Sequence, residues 1–196
     1  MTKFRSIFWH RRDLRIEDNI GLFEASKNSI SLIGVYILDP KLLDLNRNTS
    51  EAKNWFLAKS LLELQKNWER RGSRLLILNG DPINLISKLA ELIKAECIYW
   101  NENIEPYEIN RDRLLAEHLK KAKKKVYTFL DQLIVNPSDI KTNNDEPYKV
   151  YGPFYRKWID IINKSNISNN YLIRISRTPE KIRGFNEREL SEIKNS

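Results

Sequence analysis

The sequence predicts a doubly wound, Rossmann-like α/β fold: a five-stranded parallel sheet in the order 3-2-1-4-5, with helices on both faces and an irregular C-terminal connector. Three observations predict it. Short apolar runs alternate with longer segments of helical period, the pattern of βαβ units. The run SLIGVYIL at 31–38 is almost continuously apolar, as strands covered on both faces are. Right-handed crossovers then carry the chain outward from strand one to strand three and back, so that strand four lies beside strand one.

Each element has a local cause. RSIFW at 5–9 reads as the first strand, and the helical segment 19–27 follows the charged stretch HRRDLRIED. Asp39-Pro40 is expected to stop the strand 31–38. The segment from Ser50 to Gly72 has a serine N-cap, a terminal glycine and apolar positions Trp55, Leu57, Ala58, Leu61, Leu62, Leu64 and Trp68 at helical spacing. RLLIL at 74–78 is the third strand, and Asp81-Pro82 caps the helix after it. CIYW at 97–100, a helix over 106–123 and KVYTFL at 125–130 complete the alternation. Beyond Leu133 the period fades, leaving a short aromatic helix near 153–162, a linker-like NKSNISNN and a short helix near 187–193. The expected organisation is an α/β domain over 1–133, an aromatic helix and connector packed on it over 134–163, and a linker over 164–196, in part disordered.

Composition excludes more than it identifies. Hydrophobic residues make up 41% of the chain and aromatic residues 10%, the range of an ordinary folded domain. Lysine and arginine number 34 against 26 acids, a net charge of +8 that favours polyanions, but five of the lysines sit in HLKKAKKK at 118–125, where cations suit the end of a helix. The single cysteine, Cys97, lies in an apolar run, and with His10 and His118 far apart no metal site is expected. There is no signal-peptide pattern and no membrane-spanning run, so a cytoplasmic location is expected. No glycine-rich phosphate loop follows the first strand, and no triad of nucleophile, histidine and acid has support.

A doubly wound sheet collects ligands where its strand order reverses. That crevice should be bounded by the loops His10–Asp18 and Asn101–Glu108, beside the strand end Tyr36-Ile37-Leu38-Asp39 and the helix start at Lys53 and Asn54. Amides at Asn101 and Asn103, carboxylates at Glu105 and Glu108 and guanidinium groups at Arg11 and Arg111 would suit a flat heterocycle with a polar edge. The plainer alternative stays open: Asp13, Glu17 and Asp18 pairing with the arginines in a solvated loop, and WNENIEP acting as a turn that caps a helix. His10 reads as a loop hydrogen-bonder rather than a general base.

The blocks FWHRRDLRIEDNIGL, VYILDP, GSRLLILNGDP, IYWNENIEPYEINRD and YKVYGPFYRKW resemble, in order and spacing, the N-terminal α/β domain of the DNA photolyase and cryptochrome family. The similarity is greatest to the cyanobacterial cyclobutane-pyrimidine-dimer photolyases and covers about residues 4–160. It implies a light-harvesting antenna domain, whose chromophore is a deazaflavin in some members and a methenyl-tetrahydrofolate or flavin (FMN) in others. It further implies that excitation passes to FAD in a helical C-terminal domain, supplied in cis or in trans, through which damaged DNA is also met. No FAD and no catalytic residue is expected in this chain. Carried over by motif, the chromophore pocket would use Arg11, Tyr36, Ile37, Leu38, Lys53, Asn54, Leu57, Asn103, Ile104, Glu105, Tyr107, Glu108 and Arg111, with a deazaflavin of the 8-hydroxy type favoured. Asn103 stands where deazaflavin binders often carry an acid, and Glu108 matches a glutamate that grips the pterin in folate-type members. The alternative function is a stand-alone nucleotide-binding or regulatory domain of the same fold.

Overall fold

Strand β1 (Phe4–His10) is the centre of a five-stranded sheet in the order β3-β2-β1-β4-β5, every pair parallel. The computed structural model describes residues 4–45, 50–164 and 178–186. Strands β2 (Ser29–Leu38), β3 (Leu75–Asn79), β4 (Cys97–Asn101) and β5 (Lys125–Phe129) alternate with helices α1 (Ile20–Asn28), α3 (Glu51–Arg70), α4 (Pro82–Leu92) and α5 (Pro106–Lys121), while α2 (Pro40–Leu45) precedes α3 and α6 (Tyr151–Lys164) follows the sheet. Among the described residues no helix is long and apolar enough to cross a membrane.

The pleat divides the core in two. Alternate residues of β1 send Ile7 and Trp9 toward a cluster with Ile86, Leu89, Leu115 and Leu119 of α4 and α5. Phe8 joins Leu22, Leu64 and Trp68 of α1 and α3 on the other face. Gly34 is required by this packing, because a Cβ there would stand 2.6 Å from Trp68 Cε2. The caps follow the local chemistry: Asn19 accepts from Leu22 N at 3.0 Å, and Asp81 accepts from Asn84 N at 3.0 Å.

The structure departs from the sequence expectations in several places. Asp39-Pro40 ends β2 but also starts α2, since Asp39 accepts from Lys41 N at 3.0 Å and proline suits the first helical turn. Of the apolar positions expected to bury α3, Leu61, Leu64 and Trp68 do so, whereas Trp55 is 63% and Leu62 51% exposed. The first turns of α3 instead border the cleft described below, with Leu57 half-buried. Helix α6 is longer than 153–162, and none of its residues is buried. Residues 178–186, placed in a linker by their weak periodicity, lie across the amino ends of β2 and β3: Arg183 O accepts from Leu32 N at 2.8 Å and Arg71 O from Ile182 N at 2.7 Å. Ile182 enters one core cluster and Phe185 the other. The helix expected at 187–193 lies outside the described residues.

Candidate functional site

The charge that follows β1 divides into two sets with different roles. One set is internal. Asp13, 3% exposed, accepts from Arg11 N at 2.9 Å, Asn19 Nδ2 at 3.0 Å and Asn101 Nδ2 at 2.7 Å, and Asn101 Oδ1 accepts from Gly21 N at 3.1 Å. Arg15 donates to Asp131 at 2.6 Å, and Asp131 in turn caps Ile20 N at 3.1 Å; burial holds the Asp131 carboxyl above its usual range. These bonds tie the ends of β1, β4 and β5 to the start of α1. The solvated-loop alternative is therefore overturned for Asp13, and Asn101 has no donor left over for a ligand.

His10 is the last residue of β1 and is fully buried rather than in a loop. Trp68 Nε1 can only donate, and it lies 3.0 Å from His10 Nε2, so that nitrogen is the acceptor. Nδ1 then carries the hydrogen and donates to Asp13 O at 2.9 Å. Burial lowers the imidazole pKa against the opposing pull of Asp13. The ring is a neutral structural link between β1, its loop and α3.

The second set of charges lines a cleft of about 420 Å³ at the carboxyl ends of β1 and β2. Its floor is Trp9, over which the guanidinium carbons of Arg111 and Arg11 lie 4.6 Å and 5.1 Å from the ring centroid. Two cations tolerate one indole because Asp112 pairs with both and Asp39 lies 3.2 Å from Arg111. Burial lowers the Arg11 pKa, an effect Asp112 opposes. Tyr107 donates to Asp39 Oδ2 at 2.9 Å, and burial together with that bond raises its pKa. Glu108, 1% exposed, accepts from Asn103 Nδ2 at 2.6 Å through Oε1. Its Oε2 forms no hydrogen bond among the described residues, although Arg12 Nη2 stands 3.1 Å away in ion-pair range. Arg11 Nε and Nη2 are buried without a partner as well. Buried groups of this kind are rare in folded proteins, and an ordered water, an ion or a ligand would satisfy them.

Of the residues expected at the site, Arg11, Tyr36, Ile37, Leu38, Lys53, Asn54, Leu57, Glu108 and Arg111 line this one cleft. Tyr36 is half-buried, and burial and the Glu108 carboxylate raise its pKa. Glu105 stands outside it at the rim, 53% exposed and 4.0 Å from Arg12 Nη1, so the loops after β1 and β4 do face each other. Tyr107 sits behind the wall as the partner of Asp39. Asn103 supports Glu108 from the other side, and it and Ile104 line a separate cavity. Arg12, Leu14 and Asp39, from the loop and strand end expected to bound the crevice, line it as well, and the structure adds Trp9, Leu42, Leu43 and Phe56 with the buried His10. Asp39 had a sequence signal in its Asp-Pro cap, which also implies α2 and hence Leu42 and Leu43. Trp9 had none, because strand alternation assigns it to the core.

Among the described residues no group of histidine, cysteine and carboxylate side chains is placed to hold a metal ion. Cys97 is buried, its thiol pushed up to about 11 by burial. The arrangement is a cleft whose Trp9 floor carries two arginines paired with Asp112 and Asp39.

The family model for DNA photolyase matches residues 6–169. A deoxyribodipyrimidine photo-lyase from Synechococcus is 45% identical over 152 residues, covering 78% of this chain and 31% of the relative. A class III photolyase structure from Agrobacterium tumefaciens superposes with a TM-score of 0.74 at 25% identity, over 94% of this chain and 36% of that one. An archaeal photolyase structure from Sulfolobus tokodaii, described as holding two FAD molecules, gives a TM-score of 0.63 at 34% identity over 68% of this chain and 31% of that one. The chain spans 31% and 53% of the length of two Synechococcus relatives. The extent of the family match, the shared fold and the identity to the Synechococcus photo-lyase together establish that this chain belongs to the DNA photolyase family, to whose N-terminal α/β domain it corresponds.

Proposed function

We propose that the cleft between the β1 loop, β2, α3 and α5 holds an antenna chromophore, a deazaflavin in preference to methenyl-tetrahydrofolate or FMN. The observation that carries this reading is a set of buried atoms without a hydrogen bond in one cleft: two donor positions, Arg11 Nε and Nη2, and one acceptor, Glu108 Oε2, which only the exposed Arg12 approaches as an ion pair. A heterocycle whose edge alternates carbonyl and N–H groups supplies the complementary acceptor and donor. Ile37, Leu38 and Leu57 offer its rings apolar contact, and Lys53 and Asn54 at the exposed start of α3 suit a polar substituent that reaches solvent. When bound, the chromophore supplies absorption of near-ultraviolet or blue light, which the chain's own side chains lack.

The energy acceptor in this reading is FAD in a helical domain, joined in cis or docked in trans, and damaged DNA is met through that domain. Helix α6 supports a docking role. Tyr151, Tyr155 and Trp158 form a stacked row with centroids 5.9 Å and 6.2 Å apart, on a helix of which nothing is buried. A nucleotide-binding reading has weaker support, because Asp13 already takes the Arg11 N–H of the loop that would have to cradle phosphate.

Reconstitution tests the assignment. The purified chain is incubated separately with 8-hydroxy-5-deazaflavin, 5,10-methenyltetrahydrofolate, FMN and ATP, and absorbance is recorded after gel filtration. Retention and a red-shifted band with the deazaflavin, lost in Leu57→Trp, are expected. Retention of FMN or the folate in its place would overturn the choice of chromophore, and stabilisation by ATP with no pigment retained would favour the nucleotide reading.

A further inference from the structure

The carboxyl end of the sheet carries a second cavity, of about 520 Å³, between β4, α5 and the segment after β5. It shares a partition with the first. Trp9 of the cleft meets Trp100 of the cavity edge-on at 5.9 Å, and Arg111 of the cleft pairs with Asp112 of the cavity at 3.0 Å. Three features define what the cavity can take. Trp100 is 1% exposed, and its indole Nε1, which can only donate, has no acceptor among the described residues. Each ionised group of the lining already has a partner: Asp112 holds Arg11 and Arg111, Arg113 donates to Glu117 at 2.7 Å, and Glu102 accepts from Thr128 at 2.6 Å. Finally, Ile104 and Ile109 at the cavity are 50% and 52% exposed, apolar surface that an occupant would remove from water.

We propose that this cavity is a second binding site, for a neutral, flat and predominantly apolar molecule whose carbonyl oxygen accepts the Trp100 Nε1 hydrogen. An anionic ligand would find no free cation in the lining, and a cationic one would find only the Glu102 carboxylate, already bonded to the Thr128 hydroxyl, in an otherwise apolar cavity. A wholly apolar one would leave the indole N–H unsatisfied, which a buried donor does not tolerate cheaply. The site is distinct from the chromophore cleft and does not depend on that assignment, although the shared Arg111–Asp112 pair and Trp9–Trp100 contact place the two occupants on either side of one wall.

The probe is 7-methoxycoumarin, a planar lactone with a carbonyl acceptor and no N–H or O–H donor, titrated by calorimetry into the full chain. Saturable one-to-one binding is expected. Trp100→Phe keeps a ring and removes the donor, so it should weaken binding about five- to tenfold. Ala116→Phe fills the cavity and should abolish binding, and circular dichroism identifies any variant that fails to fold. Ile109→Arg, at an exposed position, blocks the site without touching the core and serves in place of an unfolded Ala116→Phe. The proposal is overturned by the absence of saturation up to about 1 mM, by equal affinity in Trp100→Phe, or by loss of binding in Leu57→Trp with Ala116→Phe or Ile109→Arg unaffected, which would put the probe in the first cleft.

Discussion

Lowering the pH should destabilise the domain through His10 well before most carboxylates titrate. The imidazole is buried and neutral, with Nδ1 donating to Asp13 O at 2.9 Å and Nε2 accepting from Trp68 at 3.0 Å. Protonation would put a second hydrogen against the Trp68 N–H, so the folded-state pKa lies below the usual value, burial being the main cause. The unfolded chain takes up a proton near pH 6.5, and the folded chain only at lower pH. His10 therefore contributes its full stability above that pH and loses it as the pH falls toward the lowered folded value. Linkage limits the loss to about 1.4 kcal/mol per pH unit, so between about pH 7.5 and pH 5.5 the domain should lose up to about 1.4 kcal/mol through this group. Urea unfolding across that range measures it, with His10→Asn as the control. The asparagine can still donate toward Asp13 but cannot titrate, and it leaves the Trp68 N–H unpaired at a cost of about 1–3 kcal/mol. The variant should be less stable at neutral pH and flat from about pH 7.5 to 5.5. A variant with the same pH slope as the parent would refute the assignment of that slope to His10.

Three further outcomes follow from the packing and the charge balance. Gly34→Ala drives a Cβ to 2.6 Å from Trp68 Cε2 and 2.9 Å from Leu75 Cδ1, so thermal unfolding should show a loss of about 1–3 kcal/mol. Asp112→Asn leaves Arg11 and Arg111 stacked on Trp9 without their shared counter-charge; urea denaturation should show a loss of about 3–5 kcal/mol, and retention of deazaflavin in the reconstitution should fall. Tyr155→Glu, at a position 45% exposed on α6, should leave the urea midpoint within about 0.5 kcal/mol of the parent while abolishing co-purification with a co-expressed helical FAD domain.

The strand order was legible because parallel strands buried on both faces carry little polar ambiguity: Ile33 to Ile37 and Cys97 to Trp100 could be nothing but interior. Caps were legible for the same kind of reason, Ser50 and Asp81 each offering a side-chain oxygen to an otherwise unpaired amide. Asp39-Pro40 carries the same chemistry as Asp81-Pro82, yet a proline after a strand signals an ending and a beginning equally well, and only tertiary context selects α2. Periodicity misassigned the first turns of α3, since a helical stripe reports which face could be buried and not whether a neighbour is present. The segment 178–186 was unreadable for the opposite reason. Two apolar residues three apart, Ile182 and Phe185, suffice to dock an extended strap whose hydrogen bonds run to Leu32, Arg71 and Gly72 at distant points in the chain. At the site, nine of the anticipated residues share the cleft because they sit at strand ends and on the first turns of helices, which topology places together. Asn103 and Tyr107 serve that cleft from behind, a distinction that depends on side-chain direction and is set by their bonds to Glu108 and Asp39.

The division of labour in HRRDLR follows from position along the turn rather than from residue type. Asp13 and Arg15 point into the sheet end, where Asn19, Asn101 and Asp131 meet them, and together they fix the loop against α1. Arg11 and Arg12 point the other way, toward Asp112 and Glu108 on α5. The loop is therefore held from one side while its remaining donors face the cleft from the other, and the side-chain charges around Trp9 balance, Arg11, Arg12 and Arg111 against Asp39, Glu108 and Asp112, with Lys53 at the start of α3 as a further cation of the lining. A balanced wall has a consequence for what can bind. An anionic ligand group at Arg11 or Arg111 would have to displace a carboxylate already in place, whereas a neutral heterocycle can accept from the open Arg11 positions and donate to Glu108 Oε2, sharing that oxygen with the exposed Arg12. The cleft should thus select pigments whose ring system carries a carbonyl and N–H edge, which deazaflavin and FMN share, and any phosphate or carboxylate tail should be left at the Lys53 side, where solvent screens it.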